Sequence, residues 1–171
     1  MRNAVTAALL TAVAVTACGP ETAADAISGL TAVRAESHQA NPTRPLTGTC
    51  EATSSQLVSF SFPTLVQIGY ADCRISHLGK VTVVTEQTIN VITLAQTGEG
   101  TWTAANGDVI YASSVGVGTP TGPTTISFTG VTTLAGGTGR FLNASGLVDV
   151  SGTADNATGT ASFTYNGSIT Y

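Results

Sequence analysis

Apolar and polar residues alternate through almost all of the chain after Thr49, and this period of two constrains the fold more than any other feature. Successive side chains of a β-strand point to opposite faces of the sheet, so the alternation predicts half-buried strands. The last run is the most regular, and its shared face carries Ala161, Phe163, Tyr165, Ile169 and Tyr171. Comparable runs recur at short intervals, separated by glycine-rich turns, and no helical periodicity of useful length interrupts them.

The number of runs predicts an all-β fold of about eight antiparallel strands, arranged as a closed barrel or a sandwich. Closure is the more economical arrangement, because only 9% of the residues are charged and charged side chains usually guard an open sheet edge. Asn106-Gly107 lies between two alternating runs and predicts a hairpin turn, since both residues tolerate a positive φ. We therefore expect an eight-stranded antiparallel closed barrel over residues 49–171.

The N-terminal segment has the pattern of an export signal. Arg2 precedes an apolar run from Ala4 to Ala17 that is too short for a membrane-spanning helix. The run ends in Val15-Thr16-Ala17-Cys18, which resembles a bacterial lipobox and predicts cleavage before Cys18 with lipid attached to its sulfur. The alternative is ordinary cleavage after Ala17 and secretion. The first interpretation places the protein in the cell envelope, anchored to a bacterial membrane on its exported side.

Residues 18–48 differ in composition from the rest of the chain. Pro20, Pro42 and Pro45 lie there, and a weak amphipathic helix over 23–36 is the alternative to an irregular tether. We predict a signal peptide over 1–17, a tether over 18–48 and the barrel domain over 49–171.

Two cysteines remain in the predicted domain, Cys50 and Cys73. A disulfide between them is the natural expectation for an exported chain, with free buried thiols and a chemical role as alternatives. Their spacing does not match that of zinc ligands, and we predict neither a metal nor a cofactor. Ten acidic against six basic residues, with no basic cluster, argue against a nucleic-acid partner.

Three segments carry a resemblance to a known family. They are 76–80 (Ser-His-Leu-Gly-Lys), 100–108 (Gly-Thr-Trp-Thr-Ala-Ala-Asn-Gly-Asp) and 136–146, which opens with Gly-Gly-Thr-Gly-Arg-Phe. In order and spacing they resemble bacterial secreted proteins of unknown function that look related to the allene oxide cyclase and dirigent β-barrels. The resemblance covers roughly 49–171 and implies an eight-stranded antiparallel barrel with an apolar interior cavity. The catalytic motifs of that superfamily are not matched residue by residue, so no activity is carried over.

Five residues are candidates for contact with a ligand: His77, Arg140, Asp149, Tyr111 and Trp102. An imidazole such as that of His77 can act as a general base or contact a ligand, but such a residue more often closes a turn. Arg140 faces a ligand or pairs with a carboxylate across the barrel rim. Asp149 faces solvent if its valine neighbours point inward, and lines the interior in the opposite register. Tyr111 and Trp102 belong to an aromatic core first and to a cavity wall second.

These residues leave three functions open. The first is a barrel that binds a small apolar molecule, and the second is a structural surface module without a ligand. The alternative is an isomerase or cyclase of the allene oxide cyclase kind, acting on a small hydrophobic substrate. Interior polarity separates them: a filled interior favours the structural role, and a dry cavity of ample volume favours binding. A carboxylate, His77 and a tyrosine converging in the cavity would favour the enzyme.

Overall fold

The computed structural model describes residues 41–171, and the predicted signal peptide and Cys18 lie outside this range. Eight antiparallel strands form one closed sheet in chain order, which confirms the predicted barrel. The strands are β1 Thr43–Ser61, β2 Thr64–Ile75, β3 Gly79–Asn90, β4 Ala95–Ala104, β5 Val109–Pro120, β6 Thr125–Gly137, β7 Ser145–Asp155 and β8 Thr160–Thr170. A single 3-10 turn, Gly139–Phe141, is the one helical element of the described residues.

Up-and-down connectivity gives the barrel two distinct ends. The turns after β2, β4 and β6 lie at one end, together with the start of β1 and the C-terminus. The turns after β1, β3, β5 and β7 lie at the other end. We call these the closed end and the open end, because side chains fill the barrel only at the first.

β1 begins at Thr43, so the predicted domain boundary at residue 49 falls inside a strand. Pro45 is tolerated there because β1 at this point pairs with β8 alone, so a proline removes no hydrogen bond on its other side. Beyond the end of β2, the Ser76 hydroxyl accepts a hydrogen bond from the Thr47 amide (2.9 Å), which keeps the proline segment attached to the barrel.

The hydrophobic core occupies the closed half of the barrel. Its fully buried side chains come from the inward-facing positions of the strands, among them Leu46, Cys50, Cys73, Val81, Trp102, Ile110, Leu134, Val148 and Ile169. The 3-10 turn caps this core by placing Phe141 beneath it, with no exposed surface and its ring centroid 4.9 Å from that of Tyr171. The closed end of the barrel is therefore packed like an ordinary protein interior.

Cys50 and Cys73 face each other in the register of β1 and β2, with their Cα atoms 4.1 Å apart, and are joined as a disulfide. Both are almost completely buried, at 1% and 2% exposure. The predicted pairing therefore lies within the core, where it ties the first hairpin of the barrel together.

The hairpin predicted at Asn106-Gly107 forms, but its turn differs from the expected one. Only Gly107 has a positive φ, at 86°, and its amide donates to the Ala104 carbonyl (2.9 Å). This is the longer connection in which a β-turn is followed by a left-handed glycine. Asn106 instead uses its side chain, which donates to the Asp108 carboxylate (2.7 Å) and so fixes the loop.

Candidate functional site

The open half of the barrel contains a cavity of about 270 Å³. Inward-facing residues of all eight strands line it, among them Gln67, Gly69 and Ala71 on β2 and Thr85, Gln87 and Ile89 on β3. Small residues occupy many inward positions at this level. A Cβ placed on Gly69 would meet its nearest neighbours, the Gln87 side-chain oxygen and the Thr85 carbonyl, at an ordinary contact distance of 3.9 Å, so the wall has room for a side-chain atom here.

Three glutamines make the wall of the cavity polar without making it charged. Gln67 and Gln87 are register partners on β2 and β3, and the Gln67 side-chain amide donates to the Gln87 carbonyl oxygen (3.1 Å). Gln96 on β4 also lines the cavity. An amide that makes one hydrogen bond keeps further donor and acceptor capacity. The wall can therefore offer neutral hydrogen bonds to a ligand.

Aromatic rings form the floor of the cavity, at the boundary with the packed core. Phe163 packs edge-on to Tyr165 with ring centroids 5.5 Å apart, and Phe128 lies 6.1 Å from Phe163. Tyr165 in turn packs on Trp102 with ring centroids 4.6 Å apart. Trp102 is only 2% exposed and lies beneath this floor, so it supports the cavity from the core side.

The Tyr165 hydroxyl is the floor's polar group. Tyr165 is 7% exposed and lines the cavity, and its hydroxyl forms no hydrogen bond to another side chain or backbone group of residues 41–171. Burial raises the pKa of its phenol far above the ordinary value, so the hydroxyl stays protonated. It is available to donate a hydrogen bond to an acceptor atom of a bound molecule.

Asp155 is the one carboxylate of the described barrel residues that lines the cavity, and it lies at the mouth where β7 ends. Its Oδ1 accepts a hydrogen bond from the Ala157 amide (2.9 Å), and this bond is the main reason its pKa falls below the ordinary value. The carboxylate is therefore ionised and is used to close the β7–β8 turn. It gives the mouth a negative charge without placing one in the interior.

The five residues predicted from the sequence do not meet in this cavity. His77 lies in the β2–β3 turn at the closed end, where it is exposed and takes a left-handed backbone conformation with φ 63°. Tyr111 is 49% exposed on the outer face of β5, and Trp102 lies in the core. Val148 is buried and Asp149 is exposed. Asp149 therefore faces solvent, as expected for the register in which its valine neighbours point inward.

Arg140 does not form the expected ion pair with any carboxylate between residues 41 and 171. Its guanidinium lies over the ring of Phe141, 4.6 Å from the centroid, and close to Tyr171 as well. Its backbone amide, rather than its side chain, contacts the Asp108 carboxylate (3.3 Å). The Arg140 guanidinium therefore covers the Phe141 and Tyr171 rings at the closed end, and its role there is structural.

The glutamines were not identified from the sequence, although a signal for them exists. Val66, Ile68 and Tyr70 form the apolar set of the β2 pattern, which suggests that they face inward. In the structure Gln67 and Gly69 line the cavity and Val66 and Ile68 do not, whereas Tyr70 borders it. Polar residues at inward-facing register positions mark the level at which a barrel is no longer packed.

The described residues contain no other centre of chemistry. No three metal-ligating side chains come together between residues 41 and 171. No helix in that range is long and apolar enough to cross a membrane. A shallow depression at the closed end borders Arg74 and Lys80, but Lys80 pairs there with Asp72 (3.8 Å) in an exposed surface ion pair.

Comparison of the chain with models of protein families, with curated proteins and with solved structures finds no match.

Proposed function

We propose that this protein is an exported, lipid-anchored barrel that binds a small, uncharged and largely apolar molecule in the open half of its interior. The observation that carries the proposal is the 270 Å³ cavity with an aromatic floor and a wall of neutral amides and hydroxyls. Ligand sites typically combine apolar lining with placed polar groups, and this cavity has both, in its aromatic floor and in its wall of amides and hydroxyls. Its volume is near the lower limit of such sites, so the ligand is small.

The lining also restricts the charge of the ligand. Among residues 41–171, no lysine, arginine or histidine lines the cavity, and the only carboxylate is that of Asp155 at the mouth. An anion would lose its hydration in the interior without gaining a cationic partner, which is costly. The Tyr165 hydroxyl and the three glutamines instead suit a carbonyl, ether or hydroxyl group. We infer an amphipathic neutral ligand with its polar group near Tyr165.

The two other functions are less well supported. A structural module would need a filled interior, but side chains fill only the closed half. The isomerase or cyclase alternative requires a carboxylate, His77 and a tyrosine in one cavity. Tyr165 and Asp155 do line it, but His77 lies in a turn at the opposite end of the barrel, and the Asp155 carboxylate closes a turn.

The proposed kinship with the allene oxide cyclase and dirigent barrels rests on the same three segments as before. All three lie at the closed end, in the turns after β2, β4 and β6. That location agrees with a similar way of closing a barrel base rather than with a shared ligand. We therefore extend the kinship to architecture and not to activity.

Anchoring through Cys18 is tested separately from ligand binding. Cells expressing the chain are labelled with a palmitate analogue and fractionated. We expect label in the wild-type protein and recovery with membranes, and loss of label in Cys18→Ser. Unlabelled wild-type protein in the medium would instead support cleavage after Ala17 and secretion.

Native mass spectrometry of the chain purified from its host tests the binding proposal directly, since a co-purifying molecule appears as added mass. A second assay uses Trp102, the only tryptophan of the chain, which contacts Tyr165 beneath the cavity. We expect a neutral apolar probe, N-phenyl-1-naphthylamine, to change the Trp102 emission saturably.

A matched pair of variants locates the probe. Gly69→Val projects two methyl groups into the cavity, whereas Gly122→Val adds the same bulk to the exposed β5–β6 loop, where a Cβ meets only Thr125 at 3.5 Å. Gly69→Val should weaken probe binding about tenfold or more, and Gly122→Val should leave it unchanged. Absence of both a co-purifying molecule and probe binding, or equal effects of the two variants, would refute the cavity as a ligand site.

A further inference from the structure

The barrel is closed along only part of its longest strand. β1 pairs with β8 from Thr43 to Glu51, but with β2 it continues to Ser61. From Ala52 onward, no strand among residues 41–171 pairs with the side of β1 that faces away from β2. We call this backbone edge, Ala52–Ser61, the free edge.

The free edge lacks most of the features that protect strand edges from pairing with other chains. It contains no lysine, no other charged residue and no proline over its ten positions. Two register shifts, after Ala52 and after Leu57, bend it locally. Its apolar side chains are exposed: Leu57 at 62%, Val58 at 53% and Phe60 at 57%. An uncharged, exposed apolar edge of this length favours pairing with a further strand.

The apolar surface continues onto the neighbouring turns of the open end. Phe62 at the tip of the first hairpin is 70% exposed, and Ile92 in the β3–β4 turn is 65% exposed. The Val91 amide donates to the Pro63 carbonyl (2.8 Å), which holds these two tips together. The free edge and the tips therefore form one continuous surface.

Backbone chemistry distinguishes between a membrane and a strand as the occupant. A lipid surface would accept the phenylalanines, but it offers no partner to the unpaired amides and carbonyls of the free edge. Each such group costs several kcal/mol when it is buried in hydrocarbon. A second strand satisfies the backbone and covers the apolar side chains together, so a strand is the better occupant.

We propose that the occupant is the same edge of a second copy of this chain, paired antiparallel about a twofold axis. An antiparallel edge is complementary to itself, so one surface serves both copies. The edge is uncharged, so the negative charge of the whole chain places no like charges in the contact.

The exposed area is compatible with a stable dimer. At about 200 Å² per ring, Phe60 and Phe62 expose roughly 250 Å² per copy, nearly a third of the roughly 800 Å² that a partner typically contributes. Leu57, Val58 and the strand backbone add to this area.

The second copy would also complete the ligand cavity. Ala52, Ser54 and Ser55 of the free edge line the cavity, and so does Thr160, where β8 begins. The pairing of β1 with β8 ends at Glu51 and Ser162. From there to the open end, the wall between these two strands has no backbone pairing. A strand added to the free edge would cover this lateral gap. The dimer rests on the edge alone, so it stands even if the cavity binds nothing.

Native mass spectrometry of the full chain, extracted in a nonionic detergent, tests the proposal by counting copies. We expect a dimer for the wild type. Leu57→Lys places a charge near the middle of the free edge in both copies and should raise the dimer Kd about 100-fold. Leu147→Lys is the matched control, because Leu147 is equally exposed, at 60%, on the outer face of β7. It should leave the dimer intact.

Charge rescue makes the test independent of any loss of stability in one variant. Leu57→Glu alone should also be monomeric, whereas an equimolar mixture of Leu57→Lys and Leu57→Glu should restore a heterodimer, because the two residues 57 lie near the twofold axis. A monomeric wild type at about 100 µM would overturn the proposal. Equal effects of Leu57→Lys and Leu147→Lys, or failure of the mixture to associate, would do the same. Monomers that bind phosphatidylcholine vesicles and lose that binding in Leu57→Lys would assign the surface to a membrane.

Discussion

Trp102 is the side chain whose removal should cost the barrel most, and its cost can be worked out from its surroundings. The indole is 98% buried, since only 2% of the residue is exposed, and an aromatic side chain of this kind buries about 200 Å². At about 25 cal/mol per Å² the transfer contributes about 5 kcal/mol, which falls to between about 3 and 4.5 kcal/mol once burial in the unfolded chain is allowed for. The contact with Tyr165, with centroids 4.6 Å apart, adds about 1 kcal/mol.

We therefore expect Trp102→Ala to lower the free energy of unfolding by about 4 kcal/mol, within the usual range for such a truncation in a core. Urea unfolding followed by far-UV circular dichroism measures it. With a slope of about 2 kcal/mol per M, the midpoint should fall by about 2 M. Tyr111→Ala is the control, because Tyr111 is 49% exposed on the outer wall and should cost less than about 1 kcal/mol. If the two variants shift the midpoint equally, the closed half is not the packed core described above.

Three further predictions concern the disulfide, a carboxylate and a glycine. Replacing Cys50 and Cys73 by alanine should lower the free energy of unfolding by about 3 kcal/mol, and a reductant should then have no further effect on the urea midpoint. The pKa of the Asp155 carboxyl is lower in the folded chain than the ordinary 3.8. The ionised carboxylate therefore stabilises the fold above pH 3.8, and this stabilisation is lost as the pH falls through the folded pKa. Urea titrations should show a smaller loss of stability below about pH 4 for Asp155→Asn than for the wild type. Gly139→Ala should destabilise the closed end by about 1 to 3 kcal/mol in thermal unfolding, because Gly139 has a φ of 53° and a Cβ there would overlap the Asp108 carboxylate; an unchanged melting temperature would contradict this placement.

Strand content and closure were predictable because both depend on local pattern. The β8 run shows this best: its five apolar residues share one face in the sequence, and the same face points into the barrel. The hairpin at Asn106-Gly107 was located correctly, but its turn type was not. One glycine with φ 86° suffices there, because the Asn106 side chain, rather than its backbone, stabilises the loop.

The face that each strand turns inward was less predictable where the barrel is not packed. Val66 and Ile68 suggested an apolar inner face for the start of β2, yet Gln67 and Gly69 line the cavity. A polar side chain is tolerated inside only where open volume and a partner are available, and Gln87 on β3 supplies that partner (3.1 Å). The partner comes from the next strand and the volume from the whole ring, so a pattern along one strand does not reveal them.

The candidate site was missed for the same reason. His77, Arg140 and Asp149 attract notice because they are titratable groups in a chain with few charges, and the structure places them in turns and on the outer wall. The cavity instead uses glutamines, hydroxyls and aromatic rings, which are common throughout such a sequence. Their importance arises from convergence in space and not from residue type.

The order of residues along the chain was enough to predict that it forms strands and where most of them turn, because these follow from alternation and glycine-containing turns. The Cys50–Cys73 pair was an expectation for an exported chain with two cysteines in its domain, and the register of β1 and β2 brings the two together. Only the closed ring decided how far side chains fill the barrel and where β1 runs on beyond β8. The reason is geometric: the stagger between strands sets which inward positions share a level, and that stagger is a property of the whole ring.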